Sequence, residues 1–430
     1  MSHEYRSTRR EFLKSASLGA IAAGGLIGGL GTRLSAQEAR AATTALSLIA
    51  TDGYITMPGR DDPVYIFGFV KVPSNLTISQ LVSTYKGHAQ HTAPTLDFKQ
   101  NDDIKITLTN LGLKQRPDLT DGHTIHWHGF DIPSPLNDGV PEVSVGVPIS
   151  KQLTYFYRPH REGTYMYHCH FEDVEHVQMG MTGIVFVRPL QDGTDYEYPV
   201  SSGKHYTKFA YNDGDGSTGY NRHFAILENE TWAAGYHDGD FQIQETVHTD
   251  YDPEWFTLNG RCYPQTVLGN YSDGPVLSGS PSGLFTTNLD YGTNDRSQPN
   301  SALIQVREGE RALLRLANLG YRQNAMQLPG IPMHVVGQDA SLLDTSYKTD
   351  TLYIGPGEAR DVLFDAPPYS ALRPHDTDGI GTYNVYYFKN RDWRKLSNNG
   401  AAGAGGMMTE VRVYSGTTLP DQIVVSQTYV

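Results

Sequence analysis

A stretch of alternating apolar and polar residues, Leu96 to Leu111, reappears 208 residues later as Ile304 to Leu319. In both copies a short strand pattern (Leu96, Phe98; Ile304, Val306) runs into an acidic turn. A second strand follows, and an asparagine, Asn110 or Asn318, closes it. Gly163-Thr164-Tyr165 is echoed by Gly381-Thr382-Tyr383, and Met181-Thr182 by Met408-Thr409. A period of two, repeated in duplicate, forces an all-β chain built from two copies of one unit. Aromatics at 11%, with 44 Gly and 24 Pro, suit short strands broken by turns. The expected architecture is two antiparallel Greek-key β-sandwich domains in tandem, at residues 43–195 and 250–415. The Tyr-, Asp- and Gly-rich stretch within 196–249 reads as an irregular connecting segment. Leu46 to Val72 reads as extra strands leading into the first unit.

Ahead of the first unit, Ser7-Thr8-Arg9-Arg10-Glu11-Phe12-Leu13-Lys14 has the form of a twin-arginine export signal. An apolar Gly/Ala-rich run from Leu18 to Leu30 and a small-x-small site at Ala39-Arg40-Ala41 complete it. Residues 1–41 are therefore expected to be removed, and the protein to be periplasmic or extracellular. The apolar run is too short and glycine-diluted for a membrane anchor. A formal net charge of −13 argues against nucleic acid and anionic membrane surfaces as partners. Two cysteines in an exported chain ordinarily suggest a disulfide. Cys169 has a different explanation, which leaves Cys262 unpaired.

That explanation is a metal. His168-Cys169-His170 is followed by His176 and Met181, and His123-Thr124-Ile125-His126-Trp127-His128-Gly129 lies upstream. One thiolate, two imidazoles and a thioether form the ligand set of a mononuclear type 1 (blue) copper site, and His123, Cys169, His176 and Met181 supply it. On strands, His126 and His128 share a face, while His168 and His170 point opposite to Cys169. Four imidazoles thus converge one residue of backbone away from the thiolate. A lone histidine in a strand is ordinarily structural, but six with a Cys and a Met at ligand spacing are not. Tetrahedral zinc leaves the methionine and the paired H-x-H motifs unexplained. A Cys169 nucleophile paired with histidine explains only two of these residues. Trp127, between two of the histidines, reads as packing.

The pattern resembles the multicopper oxidases, including laccases and two-domain relatives of cupredoxin ancestry, which are also related to copper nitrite reductases. His123 to Gly129 matches the family's H-x-x-H-x-H-G. His168-Cys169-His170, His176 and Gly180-Met181 match H-C-H, a His and G-M, with Cys-to-His and Cys-to-Met spacings two residues longer than in typical laccases. The resemblance extends over nearly the whole chain beyond residue 41, including Phe256-Thr257-Leu258-Asn259-Gly260-Arg261 at the start of the second unit. It implies tandem cupredoxin-like domains and a copper-dependent oxidoreductase. The type 1 ligands would be His123, Cys169, His176 and Met181. His126, His128, His168 and His170 would hold a second, type 2/type 3-like copper centre. Cys169 and His176 would carry electrons in from a small-molecule or metal-ion donor, with oxygen as acceptor.

The resemblance breaks in the second unit. Aligned on Gly129 and Gly330, His123, His126 and His128 fall on Asn324, Gln327 and Pro329, and His168-Cys169-His170 on Tyr386-Tyr387-Phe388. The second unit is expected to hold no metal, leaving the oxygen site half-equipped. Two-domain relatives complete that centre between subunits, so the resemblance admits a homotrimer, with His88, His91 or His334 as candidate donors from a neighbour. A nitrite reductase-like enzyme and a blue copper electron carrier or copper-binding protein are the alternatives; His126 and His170 count against the reductase. In the ligand loop, Glu172, Asp173 and Glu175 read as proton-relay or cation-binding groups, or as a solvated acidic face.

Overall fold

The computed structural model describes residues 43–237, 248–270 and 297–419, so the twin-arginine stretch lies outside the described residues. Its first half opens with β1 (Thr43–Ile55), which pairs antiparallel with β2 (Val64–Val72). Alternate residues of β1 serve two cores. Leu46, Leu48 and Ala50 enter the sandwich interior. Ile49 points the other way, onto Leu81 and Tyr85 of α1 (Ile78–Tyr85), a helix started by a Thr77/Gln80 capping box.

After β3 (Leu96–Lys99), β4 (Asp103–Asn110) joins β1 in parallel. The second sheet gains β5 (His126–His128), and β6 (Gln152–Tyr157) returns to β4. Next come β7 (Gly163–His168), α2 (Asp173–Met179) and β8 (Thr182–Arg188). The two sheets, ordered β2-β1-β4-β6 and β3-β8-β7-β5, enclose one core around Trp127, Tyr155, Tyr157 and Tyr167.

A small hairpin, β9 (Tyr196–Glu197) with β10 (His205–Tyr206), leads to β11 (Arg222–Thr231). Here the structure corrects the expected connector: β11 is a full strand, antiparallel to β12 (Trp255–Leu258) and parallel to β14 (Arg311–Asn318). It is the counterpart of β1. Its sequence disguises it, because Glu228, Asn229, Glu230 and Thr231 are polar yet all buried. The sheet continues through β19 (Ala359–Asp365), β16 (Met333–Gln338) and β17 (Ser341–Thr349). Facing it are β13 (Ile304–Arg307), β22 (Met408–Tyr414), β21 (Thr382–Asn390), β15 (Asn324–Gln327) and β18 (Thr351–Ile354), with β20 (His375–Thr377) on β21. The whole is all-β in tandem sandwiches. No helix among the described residues is long and apolar enough to cross a membrane.

The repeated asparagine has a structural cause. Asn110 Nδ2 donates to Asp121 O and Val147 O, while its Oδ1 accepts from Gly112 N. Asn318 does the same with Arg322 O, Ile354 O and Gly320 N. Each amide satisfies loop backbone that burial strips of water. A buried carboxylate beside each one does likewise. Asp52 accepts from Lys114 N and Gln115 N, and Glu230 from Tyr321 N and Arg322 N.

The halves meet through β7, which packs on β14 and β19. Arg315, fully buried, lies 3.5 Å from Asp361, which also accepts from Thr164 Oγ1 and Tyr211 OH at 2.6 Å each. Neither cysteine forms a disulfide; Cys262 is buried as a small apolar residue among Met57, Ile66 and Trp255.

Candidate metal centre

Every residue of β7 is buried, and the strand ends at His168. The short β5 pairs with it so that His126 lies opposite His168, and His128 opposite Met166. Paired residues project to the same side. One ligand atom from each of His126, His128 and His168 therefore lies within 4.8 Å of the others. The His170 ring joins them, centred 5.0 Å from His126 and 5.5 Å from His168.

On the other face of the same backbone, the Cys169 sulfur lies 3.2 Å from His176 Nδ1 and 3.8 Å from His123 Nδ1. Two backbone bonds close the loop: Cys169 N–H donates to Met181 O, and Met181 N–H to His176 O. The helix α2 accommodates the long Cys-to-Met spacing. Glu172 takes a left-handed φ of 48° to start it, and Gly180, at φ 118°, ends it. A Cβ on Gly180 would lie 2.6 Å from His91 Nδ1 and 3.0 Å from Phe67 O, so only glycine fits before Met181.

Electrostatics make both groups ready ligands. Burial pulls His123 and His168 down to about 3 and His176 well below its ordinary value, so these imidazoles are neutral lone-pair donors. Burial chiefly lowers His126 and His128 as well. It pushes the Cys169 thiol up to about 12, so a thiolate persists there only beside a compensating cation. Thr124 N–H points at the sulfur from 3.4 Å. A soft thiolate, two neutral imidazoles and a fully buried thioether in a dry pocket fit copper.

The four-histidine group presents opposite ring nitrogens. His126 Nδ1 lies 2.8 Å from Asp138 O, and His168 Nδ1 2.8 Å from Cys169 O. A carbonyl only accepts, so both Nδ1 atoms carry the proton and both Nε2 atoms keep their lone pairs for a metal. The His168 bond also ties that ring to the backbone of the cysteine itself. His128 is exposed toward the second sandwich, its Cε1 3.4 Å from where a Cβ on Gly357 would sit.

Three expectations change. His176, expected with Cys169 to carry electrons in from a donor, has no exposed surface. Phe67 and Phe171 pack on its ring, and the Asp121 and Glu175 carboxylates come within 4.8 Å of it and of each other. Glu175 itself is buried rather than solvated and is pushed up to about 8, chiefly by burial and then by Asp121 and Glu172. Asp121 and Asp138 escaped the sequence reading because neither belongs to a ligand motif. Trp127 is packing, 4.6 Å from Tyr157 and 4.7 Å from Phe130 between ring centres.

The third change concerns the repeat. His126 pairs with His168 and Gln327 with Lys389, so Lys389-Asn390-Arg391, not Tyr386-Tyr387-Phe388, is the counterpart of His168-Cys169-His170. Asn390 N–H donates to Met407 O as Cys169 N–H does to Met181 O, which moves the methionine echo from Met408 to Met407. The shared Gly-Thr-Tyr misled because β21 is longer than β7 at its start, where it pairs with β20.

In this register the second sandwich keeps the outline of the metal pocket. Asn324 stands for His123, Asn390 for Cys169 and Met407 for Met181. Asn390 Nδ2 donates to Asn324 Oδ1 at 3.1 Å and to Met407 Sδ at 3.3 Å. Lys395 enters from a 3-10 turn and donates to Asn324 Oδ1 at 2.8 Å. A buried ammonium therefore lies where the first sandwich gathers metal ligands. Glu228, the counterpart of Ala50, supplies a carboxyl nearby. Of the other candidates, His88 is exposed, His91 is buried beside Gly180 and Gly260, and His334 bonds Ser346 Oγ at 2.8 Å.

Two profiles described as "Multicopper oxidase" match residues 75–192 and 253–372. A putative laccase-17 from Oryza sativa subsp. japonica is 26% identical over 342 residues, covering 77% of this chain and 50% of the relative. Laccase-12 of Arabidopsis thaliana is 26% identical over 294 residues, covering 66% and 41%. This chain thus spans about half the length of the curated relatives it matches. Among solved structures, the blue copper oxidase from Nitrosomonas europaea superposes with a TM-score of 0.57 at 20% identity, covering 87% of this chain and 86% of that one, a likeness of fold.

Proposed function

Because this chain belongs to the multicopper oxidase family, we propose that it is a laccase-like, copper-dependent oxidoreductase that takes single electrons from a phenolic or metal-ion donor and passes them to oxygen. The observation that carries this is Cys169, with two imidazoles gathered at its sulfur and two more flanking it on the opposite face of the strand. Copper bound at the two groups supplies one-electron redox chemistry, and reduction of one O2 to two waters consumes four electrons and four protons.

The chain's own residues define the path. His123, Cys169, His176 and Met181 would hold the type 1 ion, and His126, His128, His168 and His170 part of the second centre. The Cys169 backbone, with the hydrogen bond from His168 Nδ1 to Cys169 O, links the two. Electrons enter through the groups covering His176, since its ring has no exposed edge. Asp138 orients His126 through its carbonyl, and its carboxylate lies 3.3 Å from the same nitrogen, placed to take up or return a proton.

The second sandwich offers Gln327, Pro329, Lys389 and Arg391 at the positions of the four histidines, so imidazoles from another subunit would complete the cluster. A homotrimer meets that need, and sedimentation velocity tests it. Export of the folded, metal-loaded chain by the twin-arginine route, to the periplasm or beyond, completes the proposal.

Copper per chain, thiolate absorption and oxygen uptake test it together. The oxidase should bind three or four coppers per chain and lose its visible thiolate band in Cys169→Ser. About one copper per chain would identify a carrier, and about two the reductase-like alternative. Oxygen uptake with a phenolic donor that survives joint replacement of His126 and His128 would sink the mechanism.

A further inference from the structure

A cleft of about 480 Å3 opens in the second sandwich between the β9–β10 hairpin and the sheet face made by β14, β19 and β16. Its volume is that of a small-molecule pocket. In a chain of net charge −13, its walls carry Lys204, Arg311 and Lys348 against a single carboxylate, Asp365. Arg311 is the central group. Only 9% exposed, its guanidinium carbon lies 5.5 Å from the centre of the Tyr198 ring and 5.9 Å from that of Tyr206. The side chain makes one hydrogen bond, from Nη1 to Ser217 O at 3.2 Å. Its Nε makes none, and the Asp365 carboxylate stands off at 3.6 Å. A guanidinium held in this way at the wall of a cleft keeps donors that an oxyanion can take up.

His334, offered by the sequence as a metal ligand from a neighbour, lines this cleft instead. Burial, then Arg311 and Lys348, hold its imidazole neutral, surroundings that repel a metal cation. The rings of Tyr198 and Tyr206 make the remaining wall aromatic.

We propose that this cleft binds an aromatic monocarboxylate, its carboxylate on Arg311 and its ring among the tyrosines. No residue of the cleft belongs to the Cys169 or four-histidine groups, so the proposal stands or falls apart from the copper chemistry. Titration calorimetry on the copper-loaded full chain, with benzoate, benzyl alcohol and inorganic phosphate as probes, tests it. Benzoate should bind saturably and at least about tenfold more tightly than either of the others. Arg311→Gln should weaken benzoate about tenfold or more. Lys348→Glu, a surface change that leaves the melting temperature in place, should weaken it about threefold or more. Phosphate binding as well as benzoate would reduce the cleft to a bare oxyanion site and overturn the assignment. Equal binding of benzyl alcohol, no benzoate binding at millimolar concentration, or benzoate affinity unmoved in Lys348→Glu would each overturn it too.

Discussion

Replacing Lys395 by methionine removes the ammonium from the second sandwich while keeping the length of the side chain. Lys395 is 6% exposed, its Nζ donates to Gln323 O at 2.5 Å and Asn324 Oδ1 at 2.8 Å, and it lies 5.2 Å from the Phe256 ring centre. The variant removes two charge-assisted hydrogen bonds, each worth roughly 1–3 kcal/mol, and leaves Asn324 Oδ1 with only the Asn390 amide as donor. It also removes the cation that offsets Glu228 and Glu230. Glu228 responds by staying protonated, so the loss is mainly that of the hydrogen bonds, about 2–5 kcal/mol. For a sandwich of this size each kcal/mol moves the midpoint by about 2–4 °C, so calorimetry should show a fall on the order of 10 °C. The copper-thiolate band of the first sandwich should persist below the new transition. A single variant that melts within about 2 °C of the parent would refute the idea that the ammonium holds this pocket together.

Three further outcomes follow from the same reasoning. Glu228 is pushed up to about 8 from 4.5 by burial, so the folded state holds its proton more tightly than the unfolded chain does. Its contribution is full below about pH 4.5 and lost as pH rises through about 8; in denaturant titrations, Glu228→Gln should flatten that decline by an amount on the order of a few kcal/mol. Asp361→Asn, which strips the carboxylate from fully buried Arg315, should cost about 3–5 kcal/mol, and Arg315→Met with Asp361→Leu should cost less than either single change. Asp138→Gly, by freeing the loop whose carbonyl fixes His126, should weaken copper affinity of the second centre by about 10–100-fold in chelator competition, with the thiolate band unmoved.

The gathering of His123, Cys169 and His176 was legible because rare residue types stand at strand spacing, and neither a disulfide nor a nucleophile accounts for the histidines around Cys169. The all-β duplication was legible from alternation alone. β11 was not: a strand whose buried positions are Glu228, Asn229 and Glu230 has the composition of a loop, and it takes the loop bound by Glu230 to explain that carboxylate. The register of the repeat failed for a related reason. Shared Gly-Thr-Tyr letters mark likeness, but cross-strand pairing decides which residue is Cys169's counterpart, and added residues at the start of β21 leave no trace in such letters. The shielding of His176 was out of reach as well, since Asp121 and Phe67 lie far from it along the chain.

The pleat of β7 has a consequence for how such a protein diversifies. Cys169 and its two flanking histidines face opposite sides of one strand end, so their separation is set by peptide geometry rather than by any loop. In the proposed oxidase, exposed residues such as Val143 and Val145 could change to suit a different electron donor while Asp138 and His176 stay in place. The strand backbone that separates the two groups would stay as it is. Recognition is thereby free to drift while the internal wire keeps its gauge.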